Sequence, residues 1–157
     1  EFQAEDGAGR VLVHAKSCWI LINLESRKPL RLDRNLPPMD ADREITWTFT
    51  TPDPLEGVDR EMLFPVRRHD LDINRHANNA VFVQWALDAV EPSVADSLIP
   101  CRVDALFMTE AREGDLLLSR TQKVDDPEGS TFLHGIVNAE TGRELSRVRS
   151  CWRGQDP

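Results

Sequence analysis

The sequence predicts an α+β domain in which an antiparallel sheet wraps around one long buried helix. Three observations predict it. Residues 77–91 (ANNAVFVQWALDAVE) are apolar around nearly the whole helical circumference, the pattern of a buried helix. Four strand-like runs follow, at 100–110, 114–124, 130–139 and 143–152, joined by the turns REG, DDPEG and ETG. No helix separates those runs, which excludes a parallel fold, because parallel neighbours need a crossover connection.

The remaining elements fit around this core. Residues 10–23 read as a strand, with β-branched and aromatic residues spaced by polar ones. Residues 24–42 carry charges, Pro29, Pro37 and Pro38, and read as a linker. Strands are expected near 43–50 (REITWTFT) and 61–68 (EMLFPVRR), with TPDPLEG as the loop between them. Pro92 ends the helix and a short helical turn is expected over 92–98. Val81, Trp85 and Val90 should be buried against strands 100–110 and 114–124.

Composition narrows the function classes. The chain has 157 residues, 40% hydrophobic and 29% charged, the balance of a globular protein able to bury a core. A net charge of −8 argues against non-specific nucleic-acid binding. Two local basic clusters occur, Arg27, Lys28, Arg31 and Arg34, and then Arg67, Arg68 and Arg75, and each taken alone reads as solvated surface. Cys18, Cys101 and Cys151 are odd in number and show no metal or disulfide spacing, which fits a reducing compartment. Apolar runs fall far short of the ~20 residues of a membrane span, and no leader peptide is visible. The chain does not begin with methionine, so its native start is expected to lie upstream.

An internal repeat marks the two ends. GRVLVHAKSCW at 9–19 aligns without a gap on GRELSRVRSCW at 142–152, with six of eleven positions identical, including Ser17/Ser150, Cys18/Cys151 and Trp19/Trp152. The offset is a domain length rather than a solenoid period. Residues 1–23 are therefore expected to be the closing hairpin of a preceding, related domain, with 24–42 as linker and 43–157 as the second domain. An orphan hairpin has open edges, so pairing with a second copy into a homodimer is one outcome to expect.

The chemistry is concentrated in DLDINRHANNAVFVQW, from Asp70 to Trp85. Asp70, Asp72, Asn74, His76, Asn78 and Asn79 crowd into ten residues just before the helix, whereas capping a helix needs only one such residue. Asp72-x-Asn74-x-His76 has period two, so in an extended approach its side chains would share one side. The helix N-terminus adds unpaired N–H groups and the positive end of a dipole. His69-Asp70 looks like a metal-binding pair, but the further ligands and helical scaffold it needs are missing. His14 and His134 read as structural, and Trp85 as core.

This segment resembles the signature of the acyl-ACP thioesterases, in which an Asp-x-Asn-x-His run precedes the helix of a second hot-dog domain. SCWILINLESRKPLRL likewise resembles that family's junction between domains. ALFMTEAREGD resembles the strand after the helix, which places the family's remaining functional carboxylate at Glu110. Plant members carry a cysteine directly after that acid; Ala111 stands there in this chain, so a cysteine-based mechanism is unavailable at that position.

The resemblance implies a hot-dog fold and hydrolysis of fatty acyl thioesters, with acyl carrier protein as partner and neither cofactor nor metal. The implied site is Asp72, Asn74, His76 and Glu110. Asp72 attacks or holds the water, Glu110 acts as general base, Asn74 and helix N–H groups stabilise the oxyanion, and His76 orients a partner or protonates the leaving thiolate. The departure at Ala111 favours a bacterial cytoplasmic enzyme, with a plastid one as the alternative. Three other readings compete. A hot-dog acyl-CoA thioesterase is commonly a single domain, which the repeat disfavours. A hydroxyacyl dehydratase would want His-Phe-Pro, which LFPVRRHD lacks. A non-catalytic acyl-binding module would not need four polar site residues.

Overall fold

The computed structural model describes residues 1–26, 28–37, 49–126 and 129–154. The chain divides into two compact units, Glu1–Trp47 and Thr48–Pro157.

The first unit holds an antiparallel hairpin of β1 (Phe2–Glu5) and β2 (Val11–Ala15), followed by one short helix, α1 (Leu32–Asn35). The strand expected over 10–23 is thus shorter, and 16–23 is irregular apart from a bridge between Ile22 and Pro29. Strand propensity in that stretch finds no ladder to join among the described residues. The expected linker also contains α1, a single turn. The expected strand at 43–50 lies outside the described residues through position 48, and Phe49 and Thr50 have no regular structure.

The second unit is a five-stranded antiparallel sheet with one main helix. Its strands are β3 (Arg60–Pro65), β4 (Ile99–Phe107), β5 (Leu116–Val124), β6 (Ser130–Asn138) and β7 (Glu144–Arg153), in the order β3-β5-β6-β7-β4. The helix α2 (Asn79–Asp88) packs on β5, β6 and β7, and the turn α3 (Pro92–Ala95) follows it. This is the architecture read from the sequence.

The helix is shorter than 77–91 and is buried on one face rather than all round. Phe82, Trp85 and Ala86 are buried, as are Ala89 and Val90 just beyond the last turn, while Ala80, Gln84 and Asp88 face solvent. The spacing is that of an amphipathic helix, written here almost entirely in apolar letters. Val81 is half-buried rather than buried. Trp85 packs edge-on against Phe82 at 5.4 Å and lies 6.0 Å from Phe64 of β3, and Phe82 reaches Phe107 of β4 at 6.1 Å.

Under the helix the inward-facing positions include a polar row. The Thr121 hydroxyl meets His134 Nδ1 at 3.0 Å, His134 Nε2 meets the Ser150 hydroxyl at 2.9 Å, and Trp152 Nε1–H donates to that hydroxyl at 2.9 Å. Cross-strand register assembles this row, since Thr121 stands opposite His134 and His134 opposite Val148. His134 is 1% exposed, and burial pushes its imidazole down to about 4.

The unfolded imidazole takes up its proton near 6.5 and the folded one near 4, so acidification across that window favours the unfolded chain. His134 should therefore weaken the fold by up to about 3 kcal/mol between those pH values, the full effect being reached below 4. Urea titrations of wild type and His134→Gln at pH 7, 5.5 and 4 check this. Parallel pH profiles for the two proteins would refute it.

The N-terminal hairpin repeats the β6–β7 hairpin in detail. Phe2, Gln3, Ala4 and Glu5 pair with Ala15, His14, Val13 and Val11. His134, Gly135, Ile136 and Val137 pair with Val148, Arg147, Ser146 and Glu144. Both ladders skip a leucine, Leu12 in one and Leu145 in the other, which is the same bulge at the repeat-equivalent position. Gly9 and Gly142 both hold left-handed backbone, at φ 81° and 69°. Trp19 Nε1–H donates to Ser17 at 2.9 Å, just as Trp152 does to Ser150. The two tryptophans differ in setting: Trp19 is 77% exposed and Trp152 5%.

Candidate active site

Two loops, 66–78 and 108–115, build the site, and backbone hydrogen bonds tie them together. Val66 N–H donates to Asp115 O at 2.9 Å, Gly114 N–H to Val66 O at 3.0 Å, and Ala77 N–H to Ala111 O at 2.8 Å. The first loop leaves β3 after Pro65 and makes a 3-10 turn, Arg68–Asp70. Asp70 is buried; its carboxylate accepts from Arg67 N–H at 2.7 Å, and its carbonyl accepts from Asn78 N–H at 2.8 Å. The carboxylate also lies 3.4 Å from His69 Nε2, and no metal-binding group of three His, Cys, Asp or Glu side chains occurs among the described residues.

Between Leu71 and Ala77, which form an antiparallel bridge, the chain turns back on itself. Asp72 N–H donates to His76 O at 2.8 Å and Arg75 N–H to Asp72 O at 3.0 Å, with Arg75 at φ 61°. The extended approach expected for 72–76 is therefore a tight turn, and period two does not hold the three side chains on one side. Asp72 organises the turn instead. Its Oδ1 accepts from Asn74 N–H at 2.8 Å and His76 N–H at 3.3 Å, and its Oδ2 from the Asn74 amide at 3.3 Å. Desolvation tends to raise the Asp72 carboxyl. The N–H donors of His76 and Asn74, the Asn74 amide and the nearby His76 outweigh it and hold the group below the usual carboxylate value. Ile73, at the tip of the turn, is 98% exposed.

Asn78 then caps α2, its side chain accepting from Ala80 N–H at 2.9 Å. Of the six polar residues before the helix, this is the one that serves as its cap.

Glu110 arrives from the other side. The β4 ladder ends at Phe107, and both Met108 and Thr109 donate to the carbonyl of Leu145, the bulged residue of β7, at 2.9 and 3.1 Å. The chain leaves the sheet there and brings the Glu110 carboxylate to 3.2 Å from His76 Nε2, with the two side chains 40% and 24% exposed. The structure thus brings His76 and Glu110 together side chain to side chain. Asp72 and Asn74 form a second pair, linked to the first through His76 N–H. Ala111 is fully buried in the core cluster with Val66 and Trp85, so its position serves packing.

An imidazole held by a carboxylate, with a second ionised carboxylate one turn away, can move a proton to or from a bound group. His134, read from the sequence as structural, is buried in the sheet; its row with Thr121 and Ser150 has no local signal, because it exists only through strand register.

Residues 55–154 match the family described as the acyl-ACP thioesterase C-terminal domain. The chain is 30% identical over 162 residues to the chloroplastic acyl-[acyl-carrier-protein] hydrolase FATB2 of Cuphea viscosissima, covering 92% of this chain and 38% of that protein. It spans well under half the length of that relative. Among solved structures, a proposed oleoyl thioesterase from Lactobacillus plantarum superposes with a TM-score of 0.78 at 19% identity, over 99% of this chain and 62% of the other. The 12:0-ACP thioesterase of Umbellularia californica gives 0.62 at 21% identity, over 85% and 52%. These likenesses establish the hot-dog fold.

Proposed function

Because the chain belongs to the acyl-ACP thioesterase family, we propose that the protein carrying it hydrolyses fatty acyl-ACP thioesters to free fatty acid and holo-ACP. The observation that carries this reading is the His76–Glu110 pair at 3.2 Å beside the Asp72–Asn74 turn at the start of α2.

In this reading water attacks the thioester carbonyl while Glu110 takes its proton. Asp72 holds the water, or attacks first to form a mixed anhydride, releasing the thiolate, which the water then cleaves to the free acid and the Asp72 carboxylate. The negative charge on the carbonyl oxygen is met by the Asn74 amide and by N–H groups at the helix start. Collapse of the tetrahedral intermediate breaks the carbon–sulfur bond, and His76 delivers the proton to the departing thiolate. The products are a carboxylic acid and a thiol, so the step balances without a cofactor.

The repeated hairpin supports reading residues 1–23 as the end of a preceding hot-dog domain, 24–42 as linker and 43–157 as the catalytic domain. Alanine at position 111 supports a bacterial cytoplasmic enzyme. Hydrolysis of acyl-ACP by the full-length protein, followed by thiol release, tests the function. Turnover of acyl-CoA with none of acyl-ACP would move the assignment to an acyl-CoA thioesterase.

A further inference from the structure

Leu145 is anchored at both its side chain and its carbonyl. The side chain is 3% exposed, in the core cluster that also contains Val66, Ala77, Trp85 and Ala111. Leu145 is also the residue that β7 skips in its ladder with β6, since Ile136 pairs with Ser146 and Val137 with Glu144. A bulge of this kind bends its strand and re-aims the chain around it.

On its other edge β7 carries β4, whose last pair is Phe107 with Ser146. Met108 N–H and Thr109 N–H both donate to Leu145 O, at 2.9 and 3.1 Å. Successive N–H groups of an extended strand point to opposite edges, so two neighbours that share one acceptor have left the strand path. Glu110 follows directly, 3.2 Å from His76 Nε2, and Ala111 O then accepts from Ala77 N–H at 2.8 Å. The carboxylate therefore rides on a short span between two backbone anchors, Leu145 O before it and Ala77 N–H after it.

We infer that Leu145 is a positioning residue for Glu110: its buried side chain fixes the bulge, and its carbonyl, by gathering Met108 and Thr109, aims the carboxylate at His76. The effect on rate rests on the hydrolase reading above; the geometry does not. The same bulge at Leu12 marks the bend as inherited with the repeated hairpin, and in the second copy it carries the Glu110 loop. A general base tolerates little displacement, since about 1 Å of misplacement can cost on the order of 10² in rate.

The hydrogen bond rather than the side chain has to be cut, so the test is a backbone ester in the full-length protein, with the α-hydroxy acid counterpart of threonine in place of Thr109. The ester removes one N–H donor to Leu145 O and keeps the side chain. Thr109→Pro removes the same donor by ordinary mutagenesis, and Thr109→Ala keeps it as a control. Each is made in the wild-type and Glu110→Ala backgrounds, checked by thermal melting, and assayed on acyl-ACP. Heteronuclear NMR of the His76 imidazole nitrogens is recorded on the same proteins.

The ester and the proline should each lower kcat by about 10–100-fold while KM stays within about 2-fold, and Thr109→Ala should stay within about 2-fold on both. In the Glu110→Ala background the ester and the proline should cost less than about 2-fold, because the group they misplace is gone. The His76 Nε2 resonance should move in the same direction in the ester variant as in Glu110→Ala.

Equal losses in the two backgrounds would make the Leu145 carbonyl a support of the fold. Wild-type kcat together with an unmoved His76 resonance in the ester variant would mean that Glu110 is aimed without it. Either result overturns the positioning role. Wild-type protein that leaves acyl-ACP intact overturns the hydrolase reading instead, and the His76 resonances, which need no turnover, still decide whether Leu145 aims Glu110.

Discussion

Replacing Glu110 by alanine should lower kcat on acyl-ACP by about 10²–10⁴, the range for losing a positioned general base. The fold should survive. Glu110 lies beyond the end of the β4 ladder with its side chain 40% exposed, and the contact that ties its loop to the helix start, Ala77 N–H to Ala111 O, is made by backbone. Glutamine at the same position separates two roles. Its amide can still contact the His76 imidazole but cannot take a proton from water. If Glu110 is the base, glutamine should be about as damaging as alanine. Near-normal turnover in the glutamine variant would reduce Glu110 to a group that positions His76. Circular dichroism and thermal melting confirm that each variant is folded, and stopped-flow detection of the released thiol reads the rate.

Asp72→Ala should also cost about 10²–10⁴ in kcat, for two reasons that can be separated. The carboxylate holds the 72–76 turn through the N–H groups of Asn74 and His76 and through the Asn74 amide, so alanine removes both a charge and a scaffold. Asparagine keeps an oxygen that can accept the two N–H bonds while losing the charge. If Asp72 holds or is the nucleophile, Asp72→Asn should fall with alanine. If its role is to shape the turn, asparagine should recover most of the rate. The pH dependence supplies a second readout. The Asp72 carboxyl is held below its ordinary value, so it stays ionised as pH falls through the range where an unperturbed carboxylate would begin to take up a proton. An acid limb of the rate profile should therefore come from another group, and the wild-type limb should persist in Asp72→Asn.

Much of this fold was legible because its signals are local. The helix is written in apolar residues, although it ends at Asp88 and Pro92 opens α3 instead, and the turns REG and ETG delimit β4, β5 and β7 to within about three residues. Glu110 and His76, both named from the sequence, lie side by side in the structure, though the spacing argument does not explain the contact. Alternation of polar residues from Asp72 to His76 looks the same in an extended segment and in a turn. The distinguishing cue was Asp72 two residues before Asn74, the spacing at which an aspartate accepts from the backbone ahead of it. Strand length over 16–23 was misread because β-branched and aromatic residues form a strand only where a partner edge exists. The His134 row was out of reach for a different reason. Thr121, His134 and Ser150 lie on three strands, and only the register brings them into contact.

The two copies of the hairpin record where this architecture absorbs a change of length. Glu5 corresponds to Val137 and Val11 to Glu144, so the second copy is one residue longer, and the extra residue falls within the turn. On either side of it, pairing and bulge are the same. A one-residue slip within a strand would send every following side chain to the opposite face, turning Val148 and Trp152 outward. Engineers wishing to graft an epitope or a fluorescent tag onto this scaffold thus have a natural address at Ala139–Thr141, where drift between the duplicates has already been accommodated.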